Sequence, residues 1–226
     1  MGGPCDECQH SVDDPYCSFP VPTPRKPELK PKIGIVIGST RPSRFGDKPA
    51  AWIHGIAGRR TDLDFELIDL RDYPLPLFNE AGSPAWGPID NEVAKRWAGK
   101  LAGLDGFILV TPEYNHGPSA VLKNALDYAY HEFVRKPVAF VGYGSVGAAR
   151  AVEQLRLVAA ELQMVSLRHA VHILAPDFLG LWRQGKSFDD FPHLAQSAAG
   201  MLDELAWWAK ALKSARANEI APANAA

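Results

Sequence analysis

The chain has 226 residues, enough for one domain with a substantial buried core and too few for two comfortable ones. Its formal net charge of −2 gives no general case for nucleic acid or an anionic membrane surface as a partner. No apolar run approaches the ~20 residues that span a bilayer, and the N-terminus lacks a basic-then-apolar secretory pattern, so a soluble cytoplasmic protein is expected.

All the cysteines (Cys5, Cys8 and Cys17) lie near the N-terminus. Together with His10 they have the ligand types of a zinc site. Against a metal site, the surrounding segment has almost no apolar residues to fold around one. It then runs through Pro20, Pro22, Pro24, Pro27 and Pro31, a composition for an extended linker. Residues 1–31 are therefore expected to be a flexible, proline-rich extension, 32–214 one folded domain and 215–226 a flexible tail. The folded domain holds no cysteine, which excludes cysteine nucleophiles and redox-active dithiols from its core chemistry.

The first strand is expected at Lys32–Gly38, an apolar run that ends in glycine. Ser39, Thr40, Arg41, Pro42, Ser43, Arg44 and Phe45 follow, and a helix opens at about Gly46 and runs to Arg59. Free amides, a helix N-terminus, hydroxyls and two guanidinium groups together suit a bound phosphate, and so point to a phosphorylated cofactor. Lys48 precedes Pro49, so the lysine and magnesium ligand of a nucleoside-triphosphate loop are missing. Gly34 and Gly38 do not supply the G-x-G-x-x-G of a dinucleotide fingerprint. A plain Ser/Thr helix cap remains as the bland alternative, but a cap has no use for two arginines.

Leu63–Leu70 reads as the second strand, followed by a proline-rich loop that contains Phe78 and Trp86. A helix from about Asp90 to Ala102 leads into the third strand at Gly106–Thr111. The next loop, Pro112, Glu113, Tyr114, Asn115, His116, Gly117 and Pro118, offers a flat apolar face and a two-way amide. A helix then spans about Ser119 to Phe133, and the fourth strand is Pro137–Gly142. The loop Tyr143-Gly144-Ser145-Val146-Gly147 carries little side-chain bulk and suits close backbone approach to a planar ligand. A helix from Val146 to about Leu162, a short fifth strand at Arg168–Leu174 and a final helix around Phe191–Lys213 complete the pattern.

The first, third and fourth strands are continuously apolar, as in a parallel sheet covered on both faces by helices. Right-handed crossovers then give a doubly wound three-layer α/β domain whose ligand crevice lies outside the carboxyl ends of the strands. The loops after the first, third and fourth strands converge there.

Gly38-Ser39-Thr40-Arg41, Pro112-Glu113-Tyr114-Asn115, Leu122-Lys123-Asn124-Ala125-Leu126-Asp127 and Lys136-Pro137-Val138-Ala139-Phe140-Val141 closely resemble the NADPH-dependent FMN reductase family. The resemblance covers roughly residues 32–174, with the motifs in the right order on the right elements. It implies a flavodoxin-like, doubly wound, five-stranded parallel sheet and an FMN-containing oxidoreductase. Such an enzyme takes hydride from NADPH or NADH and reduces a quinone, a free flavin, an azo compound or a similar small acceptor. It implies that Ser39, Arg41 and Arg44, with the amides of Thr40, Phe45 and Gly46 nearby, hold the FMN phosphate. It implies that Pro112, Glu113, Tyr114 and Asn115 line the ribityl chain and ring, and that Gly142, Tyr143, Gly144 and Ser145 border the ring's pyrimidine side. Hydride transfer to a flavin needs no protein acid or base, so no catalytic side chain and no metal are expected. His116 and His131 are read as a loop histidine and a helix-terminus histidine without catalytic roles.

Related flavoproteins place a second subunit over the flavin. The apolar segments around Phe78 and Trp86, and around Phe178 and Trp182, suggest such an interface, in a homodimer or homotetramer. The same fold also serves flavodoxin-type electron carriers. Those are strongly acidic near the flavin, whereas this chain is close to neutral and carries arginines in its first loop.

Overall fold

The computed structural model describes residues 30–219. The cysteine-bearing extension, with Cys5, Cys8, His10 and Cys17, lies outside the described residues, as does the chain end from 220 onward. Strands β1 (Lys32–Ile37), β2 (Asp64–Asp69), β3 (Gly106–Pro112), β4 (Pro137–Tyr143), β5 (Val165–Ser166) and β6 (Val171–Ile173) form one sheet. The order is β2-β1-β3-β4-β5, with β6 also on β4, and every pairing is parallel. The winding reverses between β1 and β3, which puts the ligand crevice at their carboxyl ends.

Burial follows the two-residue period of a sheet covered on both faces. Ile33, Ile35 and Ile37 of β1, Ile108 and Val110 of β3, and Ala139, Val141 and Tyr143 of β4 enter one core with helices α1 (Asp47–Ala57) and α6 (Pro192–Glu219). Val36, Phe107, Leu109, Val138 and Phe140 enter the opposite core. There they meet α2 (Glu92–Ala102), α3 (Ala120–Asp127) and α4 (Ala149–Glu161).

The fifth strand differs from the expected Arg168–Leu174. It is split into β5 and β6, both on β4, and Arg156 of α4 explains the break. Its Nη1 donates to Ser166 Oγ at 3.0 Å and to the Leu167 carbonyl, and its Nη2 donates to the Arg168 carbonyl at 3.2 Å. Backbone acceptors turned out of the ladder are thus satisfied by one side chain. The segment around Phe178, expected to be a loop, is helix α5 (Ala175–Arg183), opened by a proline in its first turn. Helix α6 continues past residue 215 to Glu219, where a loose tail was expected. Arg216 donates to Asp105 at 2.7 Å and to the Arg135 carbonyl at 2.6 Å, which ties that stretch to the domain.

Candidate functional site

Three loops meet at the carboxyl edge of the sheet. The first leaves β1 at Gly38, whose amide bonds Val110 O at 2.8 Å and whose carbonyl accepts from the Ser119 hydroxyl. A Cβ at Gly38 would stand 2.8 Å from Val110 O, so glycine is needed for this close approach to β3. Beyond it, among the described residues, the amides of Ser39, Thr40, Arg41, Phe45 and Gly46 have no hydrogen-bond acceptor. Those unpaired donors sit just ahead of helix α1, an arrangement suited to an anion.

The side chains of this loop divide into two groups. Ser39 is buried, and its hydroxyl lies 3.1 Å from Tyr114 Oη, which couples the first loop to the second. Arg41 is exposed, its guanidinium 5.6 Å above the Tyr114 ring. Thr40 borders a cavity of about 300 Å³ shared with Leu70, Arg71 and Leu75. Phe45, by contrast, is turned into the core against Phe178 and Tyr143. Gly46 lets the Tyr143 hydroxyl come close, since a Cβ there would be 2.8 Å away. The Tyr143 ring is buried against Phe45 and Phe178, and that burial raises its pKa above that of an ordinary phenol.

Arg44 is also turned inward. Its side chain is 2% exposed and lies between Asp69, Asp47 and the Ser39 carbonyl. The hydrogen bond it donates to Asp69 is the largest influence holding it in its charged form, above an ordinary arginine. Arg71 adds a second tie, donating to the Arg41 carbonyl and to the Pro42 carbonyl at 3.2 Å.

The second loop follows β3, whose final residue Pro112 is buried. Tyr114 and Gly117 exchange backbone hydrogen bonds, and the residues between them, Asn115 and His116, have φ of +49° and +72°. This is a tight hairpin turn of the kind that demands left-handed residues, and asparagine tolerates it well. Gln154 secures it with a 2.7 Å bond to the His116 carbonyl. Asn115 and His116 are both exposed, so the turn presents them to solvent at the sheet edge.

Glu113 points away from this turn. Its carboxylate accepts from Arg150 Nε at 2.5 Å and from the amides of Arg150 and Ala151 at 3.1 and 3.4 Å. Helix α4 needs that cap, because its own N-cap residue is Ala148, with φ of +57° and no capping side chain. Burial works against ionisation of Glu113, but the Arg150 and backbone hydrogen bonds outweigh it and hold its pKa below the usual 4.5. Glu113→Ala should therefore cost about 1–2 kcal/mol, as losing a helix cap does. The lowered pKa sets the sign with pH: the contribution is complete above about 4.5 and fades as the carboxylate protonates below it. Chemical denaturation of both proteins at pH 7 and pH 3.5 should show the difference shrinking at the lower pH.

The third loop follows β4. Gly142 is buried, Ser145 is exposed, and Gly144 and Gly147 have φ of +139° and +61°. Backbone rather than side chain forms this wall.

The structure thus brings Ser39, Thr40, Arg41, Tyr114, Asn115, Gly144 and Ser145 to one edge. Phe45, Tyr143, Arg44 and Glu113 support that edge from beneath. Asp69, Arg71, Arg150 and Gln154 were not apparent in the sequence. An acid ending a strand at the carboxyl edge was the one local hint of Asp69. A cleft of about 430 Å³ bordered by Lys32, Glu66 and Lys100 lies at the other end of the sheet and takes no part. Among the described residues no group of His, Cys, Asp and Glu is placed to hold a metal ion.

These donors fit an FMN. The unpaired amides, the Ser39 hydroxyl and the Arg41 guanidinium suit its phosphate, and the glycine-built third loop leaves room for a flat ring. The comparisons with known proteins agree. The family model described as NADPH-dependent FMN reductase matches residues 31–176. An NAD(P)H-dependent FMN reductase of Schizosaccharomyces pombe is 44% identical over 140 residues, 61% of this chain and 70% of that protein. A 2-hydroxy-1,4-benzoquinone reductase of a Burkholderia species is 35% identical over 141 residues, 59% of this chain and 73% of that protein. Among solved structures, a flavoenzyme NAD(P)H:(acceptor) oxidoreductase of Paracoccus denitrificans superposes with a TM-score of 0.62 at 22% identity. That match covers 80% of this chain and 98% of the other, and likeness at that identity speaks for the fold. With the sheet order, the three loops and the sequence match in agreement, the chain belongs to the NADPH-dependent FMN reductase family.

Proposed function

We propose that FMN is held with its phosphate on the loop from Ser39 to Gly46 and its ring between the turn at Tyr114–Gly117 and the Gly144–Ser145 backbone. The family uses FMN with NAD(P)H as reductant, and the chain is an oxidoreductase of that kind. When bound, FMN supplies the atom that accepts hydride and later gives up electrons. The protein's own part is to bind, orient and leave one face open. Ser39 and the loop amides fix the phosphate end, the Tyr114 ring and Asn115 amide flank the path to the sheet edge, and the third loop approaches with backbone alone. The carrying observation is the row of unpaired amides after Gly38 beside an exposed arginine.

The acceptor we assign is a quinone, a free flavin, an azo compound or a similar small oxidant. Relatives named as a benzoquinone reductase and as FMN-dependent NADPH-azoreductase support that class. The family match favours this enzyme over an electron carrier with a protein partner. Anaerobic addition of NADPH, and separately NADH, to the FMN-loaded protein should bleach the flavin absorbance, and a quinone added afterwards should restore it. Flavin that neither nucleotide bleaches would refute the reading.

No helix among the described residues is long and apolar enough to cross a membrane; a cytoplasmic location is our reading of the sequence. We further assign a homo-oligomer, a dimer or a tetramer, with contacts near the flavin. Support comes from Leu77 and Trp86, 79% and 89% exposed on the loop after β2, and from half-exposed Trp182 on α5. Light scattering at micromolar concentration should give a multiple of the 24.7 kDa chain mass; a monomer would refute it.

A further inference from the structure

We infer that Arg44 serves FMN binding as a positioning residue, clamped by Asp69, and does not itself contact the phosphate. The inference rests on the reading that the phosphate occupies the loop from Ser39 to Gly46. An arginine has five N–H donors. All of them are committed here. Nε donates to Asp47 Oδ1 at 2.8 Å, Nη1 to the Ser39 carbonyl and to Asp69 Oδ1 at 2.6 Å each, and Nη2 to Asp47 Oδ1 and Asp69 Oδ2 at 2.5 Å each. No donor is left for a ligand, and the side chain is 2% exposed.

Charge leads to the same conclusion. One guanidinium between two carboxylates is a locally negative group, which has nothing to offer a dianion. What the group does supply is shape. Asp69 closes β2 in register with Ile37, the last residue of β1, so it sits on the rigid sheet edge. Arg44 reaches from that edge across to the Ser39 carbonyl, which orients the peptide between Ser39 and Thr40. The second carboxylate, Asp47, is the first residue of α1, so the same guanidinium also fixes where that helix begins. Arg71, whose amide donates to Asp69 at 2.9 Å, holds the Arg41 and Pro42 carbonyls from the outside. The amides that face the phosphate are thus aimed by carbonyls held on their far side. Preorganised donors of this kind bind an anion without a reordering cost.

The acid makes the inference testable, because the two roles of Arg44 predict opposite signs at Asp69. If Arg44 contacted the phosphate, Asp69→Asn would remove a competing carboxylate, and FMN would bind as well or better. If Arg44 is a brace, Asp69→Asn weakens FMN although it removes negative charge near a dianion. Arg44→Lys adds a second distinction. A lysine keeps the charge and can meet a phosphate as a point charge, but it cannot span two carboxylates and a carbonyl.

The experiment is fluorescence titration of the full-length, flavin-stripped chain with FMN and with riboflavin, alongside the thermal stability of the flavin-free protein. Both variants should lose at least about tenfold in FMN affinity, while riboflavin affinity moves far less. Wild-type FMN affinity in Asp69→Asn together with near-wild-type affinity in Arg44→Lys would show direct contact and overturn the inference. Lower thermal stability with an unchanged FMN-over-riboflavin preference would show a merely structural role and also overturn it. Should Asp69→Asn not fold, Arg44→Lys carries the test alone. A wild-type protein with no preference for FMN over riboflavin would instead refute the phosphate-loop assignment, a separate and recognisable result.

Discussion

Gly142→Ala should destabilise the protein by about 3 kcal/mol and greatly weaken flavin binding. A Cβ at this position would run into the Gly147 carbonyl oxygen and stand 2.9 Å from the Ala148 Cβ. Neither neighbour can give way. Gly147 is at φ +61°, its carbonyl accepts a 2.8 Å bond from His172 Nδ1, and a Cβ on it would stand 2.8 Å from the His172 Cβ. Ala148 is fully buried and already left-handed. The added methyl must therefore push the third loop away from β4, and that loop is one wall of the site we propose for FMN. Gly55→Ala in the last turn of α1 is the matched control. Nothing stands within 4 Å of its Cβ, so the same chemical change should stabilise by about 0.5–1 kcal/mol. Thermal denaturation of the two variants should move in opposite directions, and FMN titration should weaken for Gly142→Ala and stay as in the wild type for Gly55→Ala. A Gly142→Ala protein with wild-type stability would mean that the loop does not pack as described.

That contrast bears on what a sequence can reveal. Strands β1, β3 and β4 were legible because burial on both faces forces unbroken apolar runs, and such runs end where the crevice begins. The site loops were legible for a related reason, since glycine and small hydroxylated residues mark places where backbone must approach something closely. Side-chain direction was not legible. The partners of Arg44 and Glu113 that decide their orientation lie 25 and 37 residues away, on β2 and α4. No local spacing encodes those pairings. Read along the chain, Arg44 and Glu113 look like ligand contacts; in the fold each side chain is taken up by protein partners, Asp47, Asp69 and the Ser39 carbonyl for Arg44, and Arg150 with the start of α4 for Glu113. The broken fifth strand was hidden for the same reason, because the side chain that satisfies its freed carbonyls belongs to the preceding helix.

Arg41→Ala should weaken FMN at least tenfold, about 1.5–3 kcal/mol for a lost charge-assisted contact, while leaving the flavin-free protein as stable as before. Arg41 differs from Arg44 in every respect that matters here. Its side chain is exposed, and among the described residues its guanidinium meets only the Tyr114 ring, at 5.6 Å. The backbone of Arg41 is held independently by Arg71 and by the Arg44 amide, so removing the side chain should not disturb the loop. Surface truncations of this kind usually cost less than about 0.5 kcal/mol. The affinity loss should appear with FMN and not with riboflavin, and it should shrink as salt is added, because an exposed charge is screened. Fluorescence titration at low and high ionic strength reads both trends. If FMN affinity in Arg41→Ala is that of the wild type, the loop amides and Ser39 bind the phosphate unaided. The exposed arginine beside the flavin would then be free to meet the other anionic participant, the pyrophosphate or 2′-phosphate of NADPH, and the Michaelis constant for that nucleotide should rise in the same variant.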